Sequence, residues 1–206
     1  MRVRLTLAVA LAAALAVPAT AGAATKVVTM GTPPAAQRAI NRDQVSDVNA
    51  FFPSSVTIAA GDSVRFQPAG FHTVDLPVRG RGPAALFTPS GQPVAGVADA
   101  AGVPFWFNGQ PALGFNPSLL ASGFGKRFAY TGAKRVDSGL PLQQNPKPMT
   151  VRFPRGGNFT YFCDVHPGMK GIVHVRRAGA STPAVAADRR RVTQQAADAL
   201  RVARSL

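Results

Sequence analysis

One short loop, residues 161–171, constrains the fold of this chain more than any other part of the sequence. It contains Cys163, His166 and Met169, so three side chains with soft or borderline donor atoms occur within seven residues. These donors can meet only where the backbone turns back sharply, and the Pro-Gly pair between the histidine and the methionine favours such a turn. The fold must therefore hold this loop on a rigid scaffold.

The flanking sequence indicates that the scaffold consists of strands. Val56 and Ile58 alternate with polar residues, a Gly-Asp pair follows, and Val64 and Phe66 then alternate in the same way. No convincing amphipathic helix is predicted between residues 27 and 177, and 31–49 is expected to be a loop or an irregular arm. Strands are predicted at 26–30, twice within 51–66, at 151–153, at 159–163 and at 172–175. Short strands with Gly/Pro turns predict an all-β sandwich or barrel.

Two stretches depart from this pattern. Residues 77–148 are rich in Gly, Pro and aromatic side chains, which predicts an ordered insertion that adds short strands or turns. Residues 178–206 form a basic tail that is flexible or weakly helical, with Val192, Ala196 and Ala199 at helical spacing. Because that apolar face is mostly alanine, we favour a solvated or frayed tail. Contact with a membrane surface or an acidic partner is the alternative.

The first residues have the pattern of a secretory signal peptide. Arg2 and Arg4 precede the apolar run 5–17, and small residues up to Ala23 provide a cleavage site. We therefore expect residues 1–23 to be removed, 24–177 to form one domain, and the protein to be exported to the periplasm or outside the cell. An uncleaved N-terminal anchor is the alternative interpretation.

The formal charge of +14 is compatible with nucleic acid, an anionic membrane or acidic protein partners. No nucleic-acid-binding motif accompanies the charge, so we expect no nucleic-acid function. Seven arginines lie from residue 176 onward, against two aspartates, so much of the excess belongs to the tail.

Cys163 is the only cysteine, which excludes an intramolecular disulfide. An exported protein with one thiol buries it inertly, dimerises through it, or uses it as a ligand or nucleophile. The neighbouring histidine and methionine favour a metal ligand. Thiolate, imidazole and thioether donors together suit copper, and methionine argues against zinc.

A second imidazole would complete a trigonal His2Cys site, and the chain offers His72 and His174. His72 follows a predicted strand at the start of a loop. If Val173 and Val175 face the core, His174 faces the opposite side. We therefore predict that His72 is the ligand and that His174 is a surface residue.

The loop 163–169 resembles the type 1 copper loop of the cupredoxins, with the short spacing seen in amicyanin. Residues 51–66 resemble the strand pair that precedes the first ligand histidine of that family. The resemblance implies a Greek-key β-sandwich that holds one type 1 copper ion. The four implied ligands are His72, Cys163, His166 and Met169.

Two features depart from the small members of the family. Thr73 stands where many have an asparagine that braces the copper loop, so that brace is altered or absent. The 91-position interval between the first histidine and Cys163 is also far longer. In addition, Pro167 removes one possible backbone donor to the sulfur, as in amicyanin.

The resemblance implies a monomeric one-electron carrier rather than an enzyme. Redox partner proteins would dock at the edge of His166. The basic charge suggests that their docking surfaces are acidic. Copper sequestration or delivery is the alternative. A cysteine hydrolase leaves Met169 without a role, and three histidines cannot build the clusters of a multicopper oxidase.

Overall fold

The computed structural model describes residues 23–42, 48–93, 100–102 and 111–205. The predicted signal peptide, apart from its last residue, lies outside this part of the chain. Among the described residues the helices are α1 Pro34–Arg42 and α2 Val185–Ala203, with a 3-10 turn at Pro117–Leu119. The strands are β1 Thr25–Met30, β2 Phe51–Phe52, β3 Ser55–Ala59, β4 Ser63–Pro68, β5 Asp75–Leu76, β6 Phe87–Pro93, β7 Pro111–Phe115, β8 Arg127–Ala129, β9 Val136–Asp137, β10 Met149–Arg152, β11 Gly157–Phe162 and β12 Lys170–Arg176.

Ten strands form two five-stranded sheets that share one core. The first has the order β2-β1-β4-β10-β8 and the second the order β3-β12-β11-β5-β9. The pairs β1–β4 and β3–β12 are parallel, whereas β4–β10 and β11–β12 are antiparallel. Most neighbours are not consecutive in sequence, so the chain crosses between the sheets as it does in Greek-key sandwiches. The predicted all-β sandwich is confirmed.

The alternation seen in the sequence determines which side chains fill the core. Val64 and Phe66 of β4 are buried between more exposed neighbours, as a strand with one face on a core requires. In the second sheet, Tyr161 makes edge contacts with Phe51 and Phe66, with ring centroids 4.7 and 5.1 Å apart. Since Tyr161 lies two residues before Cys163, this packing fixes the strand end that carries the cysteine.

The predicted insertion adds strands to both sheets. It supplies β8 to the first sheet and β9 to the second. Strands β6 and β7 form a separate two-stranded sheet, in which the half-exposed rings of Phe87 and Phe115 lie 5.0 Å apart. The expectation of short strands is confirmed for the described parts of the insertion. Its central aromatic group, residues 105–107, lies outside the described residues.

The expectation that 31–49 is irregular is wrong for α1. Pro34 occupies the first position of the helix, where a missing N–H costs nothing and the fixed φ favours the helical turn. The alanines that follow have high helix propensity, and the N–H of Ala36 donates to the carbonyl of Pro33 at 2.8 Å. Proline and alanine here begin a helix rather than break one.

The basic tail forms the helix α2, which is one of the two forms expected for it, but the preference for a solvated or frayed tail is wrong for the described residues, because α2 docks on the edge of the first sheet. Lys26 Nζ lies 2.7 Å from Asp188 Oδ2 and donates to the carbonyl of Pro183. Gln195 donates to the carbonyl of Phe51 and accepts from the N–H of Ser54. Polar contacts thus hold the helix on the sheet, and the small apolar face of the tail sequence gives no indication of them. Among the described residues, no helix has the length and apolar character needed to cross a membrane.

Candidate metal centre

Three of the four predicted ligands meet at one end of the sandwich. His72 follows β4, Cys163 comes directly after β11, and His166 lies in the loop to β12. Cys163 Sγ lies 3.9 Å from His72 Nδ1 and 3.6 Å from His166 Nδ1. The two imidazole centroids are 4.6 Å apart. His72 and Cys163 are buried, whereas His166 is partly exposed.

The loop is closed by a tight turn. The N–H of Met169 donates to the carbonyl of His166 at 3.0 Å, and the N–H of Cys163 donates to the carbonyl of Met169 at 3.0 Å. Gly168 occupies the third turn position with φ +89°, which suits a type II turn with proline before it. The turn brings the buried Met169 back beside the cysteine. Its role as a fourth ligand remains a prediction.

The spacing of the three donor atoms fits a metal ion. Bonds of about 2.3 Å to a thiolate and about 2.0 Å to an imidazole, at trigonal angles, place sulfur and nitrogen about 3.7 Å apart. The observed separations of 3.6 and 3.9 Å bracket that value. A thiolate with two imidazoles, and a thioether in the same loop, is the donor set of copper electron-transfer sites. The residues present therefore fit a copper ion.

Gly31 sets the position of the buried histidine. A Cβ atom on Gly31 would lie 2.6 Å from Nε2 of His72 and would also overlap the carbonyl oxygen of Ala69. Its φ of +95° is a conformation that glycine adopts without strain. The backbone after β1 thus packs directly against the imidazole edge that faces away from the cysteine.

Thr73 braces the metal loop, residues 163–169, from the position where many members of the resembled family have an asparagine. Its N–H donates to Cys163 Sγ at 3.4 Å. Its hydroxyl accepts from the N–H of Asp164 at 2.7 Å and donates to Asp164 Oδ2 at 2.9 Å. The brace is therefore altered rather than absent, and it supplies the sulfur with a backbone donor where Pro167 cannot.

His174 stands apart from this centre. It lies on β12, between the buried Val173 and Val175, and its Nδ1 is 2.8 Å from Asn158 Oδ1. The group of imidazole and thiol side chains that could hold a metal ion contains His72, Cys163 and His166. The choice of His72 over His174 agrees with this arrangement.

A second cluster, which the sequence analysis missed, lies beside the metal loop. Asp75, Asp137 and Asp164 each place a carboxylate oxygen within 4.8 Å of the others. Burial and the charges of the other two carboxylates raise the pKa of Asp75 to about 8. Burial and the charge of Asp164 raise the pKa of Asp137 to about 7. Asp164 adjoins the cysteine and Asp75 follows the first histidine by three residues, which is the signal that could have indicated it.

No protein-family model matches this sequence, and no curated protein is significantly similar to it. Solved structures of cupredoxins are similar. A Cu(I) structure of an amicyanin variant is 14% identical in sequence, and the match covers 74% of this chain and 82% of the amicyanin chain, with a TM-score of 0.34. Plastocyanin from Dryopteris crassirhizoma is 15% identical, with coverage of 73% and 99% and a TM-score of 0.36. Pseudoazurin from Hyphomicrobium denitrificans is 15% identical, with coverage of 84% and 97% and a TM-score of 0.36.

Proposed function

We propose that this protein binds one type 1 copper ion through His72, Cys163 and His166, with Met169 as a weak fourth ligand, and carries single electrons between redox partner proteins. The observation that carries the proposal is the convergence of one thiol sulfur and two imidazole Nδ1 atoms at 3.6 and 3.9 Å, beside a buried methionine. Copper supplies a one-electron couple when bound at such a site.

Each residue contributes a distinct property. The Cys163 thiolate is the strong donor, and the N–H of Thr73 stabilises its negative charge. His72 is fully buried and excludes water from one side. His166 is partly exposed and Pro167 beside it is exposed, so this edge offers the shortest route for electrons to a docked partner. The two sheets hold these groups, and a site that changes little between oxidation states transfers electrons readily.

The proposal includes the setting in which the carrier works. The N-terminal pattern supports export to the periplasm or outside the cell. The formal charge of about +12 that is left when Arg2 and Arg4 are subtracted from +14 supports partners with acidic docking surfaces. Fusion of residues 1–30 to a reporter enzyme that is active only after export tests the first point. The salt dependence of electron-transfer rates with an acidic and a basic redox protein tests the second.

Copper loading of purified protein without residues 1–23 tests the metal centre directly. We expect an intense visible thiolate-to-copper band at one equivalent of Cu(II), and its loss in Cys163→Ser. Met30→Leu, which changes a buried methionine outside the loop, is the matched control for Met169→Leu. Only the loop variant should alter the spectrum. A colourless wild-type protein that binds only zinc would refute the copper site.

Sequestration or delivery is the competing use of the same site. A carrier keeps its copper through repeated reduction and oxidation, whereas a delivery protein passes it on. The near-complete burial of His72 and Cys163 favours retention, because an accepting thiol cannot reach them without opening the loop. We expect less than one tenth of the copper to move to an equimolar chelating acceptor while the protein is cycled. Rapid stoichiometric transfer would support delivery instead.

A further inference from the structure

The three aspartates of the second cluster come from separate parts of the fold. Asp75 begins β5, Asp137 ends β9 within the insertion, and Asp164 opens the metal loop. Asp75 is fully buried and Asp164 is 8% exposed. Ionised carboxylates at such positions raise the free energy of the folded state unless a positive charge accompanies them, because burial and mutual repulsion both oppose ionisation.

Arg135 supplies a positive charge to this cluster. It contacts Asp75 Oδ2 and donates to the carbonyl of Gly82. When all three carboxyls are ionised, this guanidinium leaves a formal charge of −2 at the cluster. The N–H groups of Ala84 and Gly139, and the hydroxyl of Thr73, donate to several of the oxygens without changing that charge.

Two carboxylate oxygens in the cluster remain without a donor. Among the described residues, Asp75 Oδ1 and Asp137 Oδ2 are buried and have no hydrogen-bond partner. An unpartnered oxygen on a fully buried side chain costs free energy, and a structure normally satisfies such an atom with a proton, a water or an ion. Both oxygens belong to side chains of the cluster, in which one carboxylate oxygen of each aspartate lies within 4.8 Å of the others.

We propose that Asp75, Asp137 and Asp164 bind one hard divalent cation, calcium, at a second metal site beside the metal loop. A divalent ion cancels the residual charge of −2 and occupies the two unpartnered oxygens. All the donors are oxygens, which hard cations prefer and copper does not. Calcium accommodates irregular carboxylate geometry, whereas magnesium demands a near-ideal octahedron and keeps several waters. This proposal does not depend on copper binding.

The site would link the insertion to the metal loop. Asp137 belongs to the insertion, and Asp164 adjoins Cys163 in sequence. A calcium ion held by both would join these segments, in addition to the hydrogen bonds that Ala84 makes to Asp75 and Asp164. This gives the long insertion a specific role, which is to complete the second site.

Calcium titration of the full protein, freed of metals with a chelator, tests the proposal. We expect saturable calorimetric binding of one Ca²⁺ per chain, weaker binding of Mg²⁺, and a rise in Tm on calcium addition that the chelator reverses. The same titration of copper-loaded protein should again show one calcium per chain. Asp137→Asn should weaken calcium binding at least tenfold, because it removes one negative charge while its side-chain oxygen can still accept from Gly139.

Asp198→Asn is the matched control, since Asp198 is a partly exposed carboxylate on α2 that contacts Arg201. The Asp198→Asn protein should bind calcium with the affinity of wild type. If Asp137→Asn does not fold, the calcium-dependent Tm of the wild-type protein and the titration of Asp75→Asn decide. No saturable binding up to millimolar calcium, with an unchanged Tm, would overturn the proposal. Equal affinities in wild type and Asp137→Asn would overturn it too.

Discussion

Cys163 of the soft-donor site and Asp164 of the carboxylate cluster are adjacent in sequence, but the two clusters differ in how their side chains are held together. The soft-donor site, which is the His-Cys-His group of the metal centre, contains two imidazoles and a single acidic side chain, the cysteine, so no two carboxylates repel each other there. The carboxylate cluster gathers three like charges in a buried place, where Arg135 compensates them in part. The first arrangement can form before its metal binds, whereas the second is favourable only with a cation or with bound protons. Thr73 contacts both, through Cys163 Sγ and through Asp164.

Gly31→Ala should affect the soft-donor site most. The new methyl group would overlap Nε2 of His72, and alanine would be strained at the φ of +95° that Gly31 adopts. We therefore expect the free energy of unfolding to fall by about 3 kcal/mol and the copper band to weaken or shift. Gly80→Ala is the matched control, since Gly80 has φ +80° but no atom within 4 Å of the place that its new methyl group would occupy. It should cost about 1 kcal/mol and leave the band unchanged.

Calcium affinity separates the two clusters in the same variant. Because the atoms nearest to a Cβ on Gly31 belong to Ala69 and His72, a folded Gly31→Ala protein should bind calcium as wild type does. Equal copper spectra in Gly31→Ala and Gly80→Ala would show that Gly31 does not position the ligand.

The carboxylate cluster should make stability fall as pH rises in the cation-free protein. The pKa values of Asp75 and Asp137 are raised to about 8 and about 7, so between pH 4 and these values the folded state holds protons that the unfolded state has released. The unfolding free energy should then fall by up to about 1.4 kcal/mol per pH unit for each carboxyl. Urea unfolding at pH 5, 6 and 7 measures this slope.

Two comparisons assign the slope to the cluster. Asp137→Asn should make the slope shallower by removing one of the two carboxyls with a raised pKa, and Asp198→Asn should leave the slope unchanged. Saturating calcium should raise stability at pH 7 more than at pH 5, because protons compete with the cation at the lower pH. A wild-type free energy that is constant or rises over this range contradicts the raised pKa values.

Thr73→Val should weaken the connection between the clusters. The substitution keeps the shape and the N–H that donates to Cys163 Sγ, but it removes the hydroxyl that accepts from Asp164 N and donates to its carboxylate. A buried N–H without a partner costs about 1–3 kcal/mol, so unfolding free energy should fall by about 2 kcal/mol. Thr73→Ser, which restores the hydroxyl, should recover most of that loss.

Both metal readouts should respond to this change. Calcium affinity should fall in Thr73→Val because Asp164 loses the hydroxyl that contacts it. The copper band should shift only slightly, because the N–H donor to the sulfur remains and only the longer hydroxyl contact, at 3.8 Å, is lost. A Thr73→Val protein identical to wild type in stability, copper spectrum and calcium binding would show that the hydroxyl does not couple the sites.

The sequence predicted the soft-donor site and missed the carboxylate cluster for a physical reason. Cys163, His166 and Met169 are rare residue types within one turn, so their chemistry and proximity are visible in the sequence alone. The aspartates are common residues separated by 62 and 27 positions (75 to 137, and 137 to 164), and only the pairing of β5 with β9 brings two of them together. Such pairing depends on tertiary structure.

The same distinction applies to the fold. Alternation within 55–66 predicted two strands because one face of each is buried, a local property of the sequence. The docking of α2 depends instead on Lys26 and Asp188, which are 162 positions apart and carry no periodic signal. The start of α1 at Pro34 could have been predicted from the preference of proline for the first helical turn.

His174→Asn should have the smallest effect and sharpens the assignment of the soft-donor site. His174 lies on β12 away from the cysteine, and its loss removes one hydrogen-bond contact with Asn158, so stability should change by no more than about 0.5 kcal/mol. The copper band should be unchanged at one equivalent, whereas His72→Asn should abolish it, because His72 Nδ1 is one of the two imidazole nitrogens that face the sulfur. A band that survives His72→Asn but disappears in His174→Asn would reverse the choice of ligand and require a rearranged sheet end. Loss of the band in both variants would mean that His174 contributes to the centre indirectly through β12.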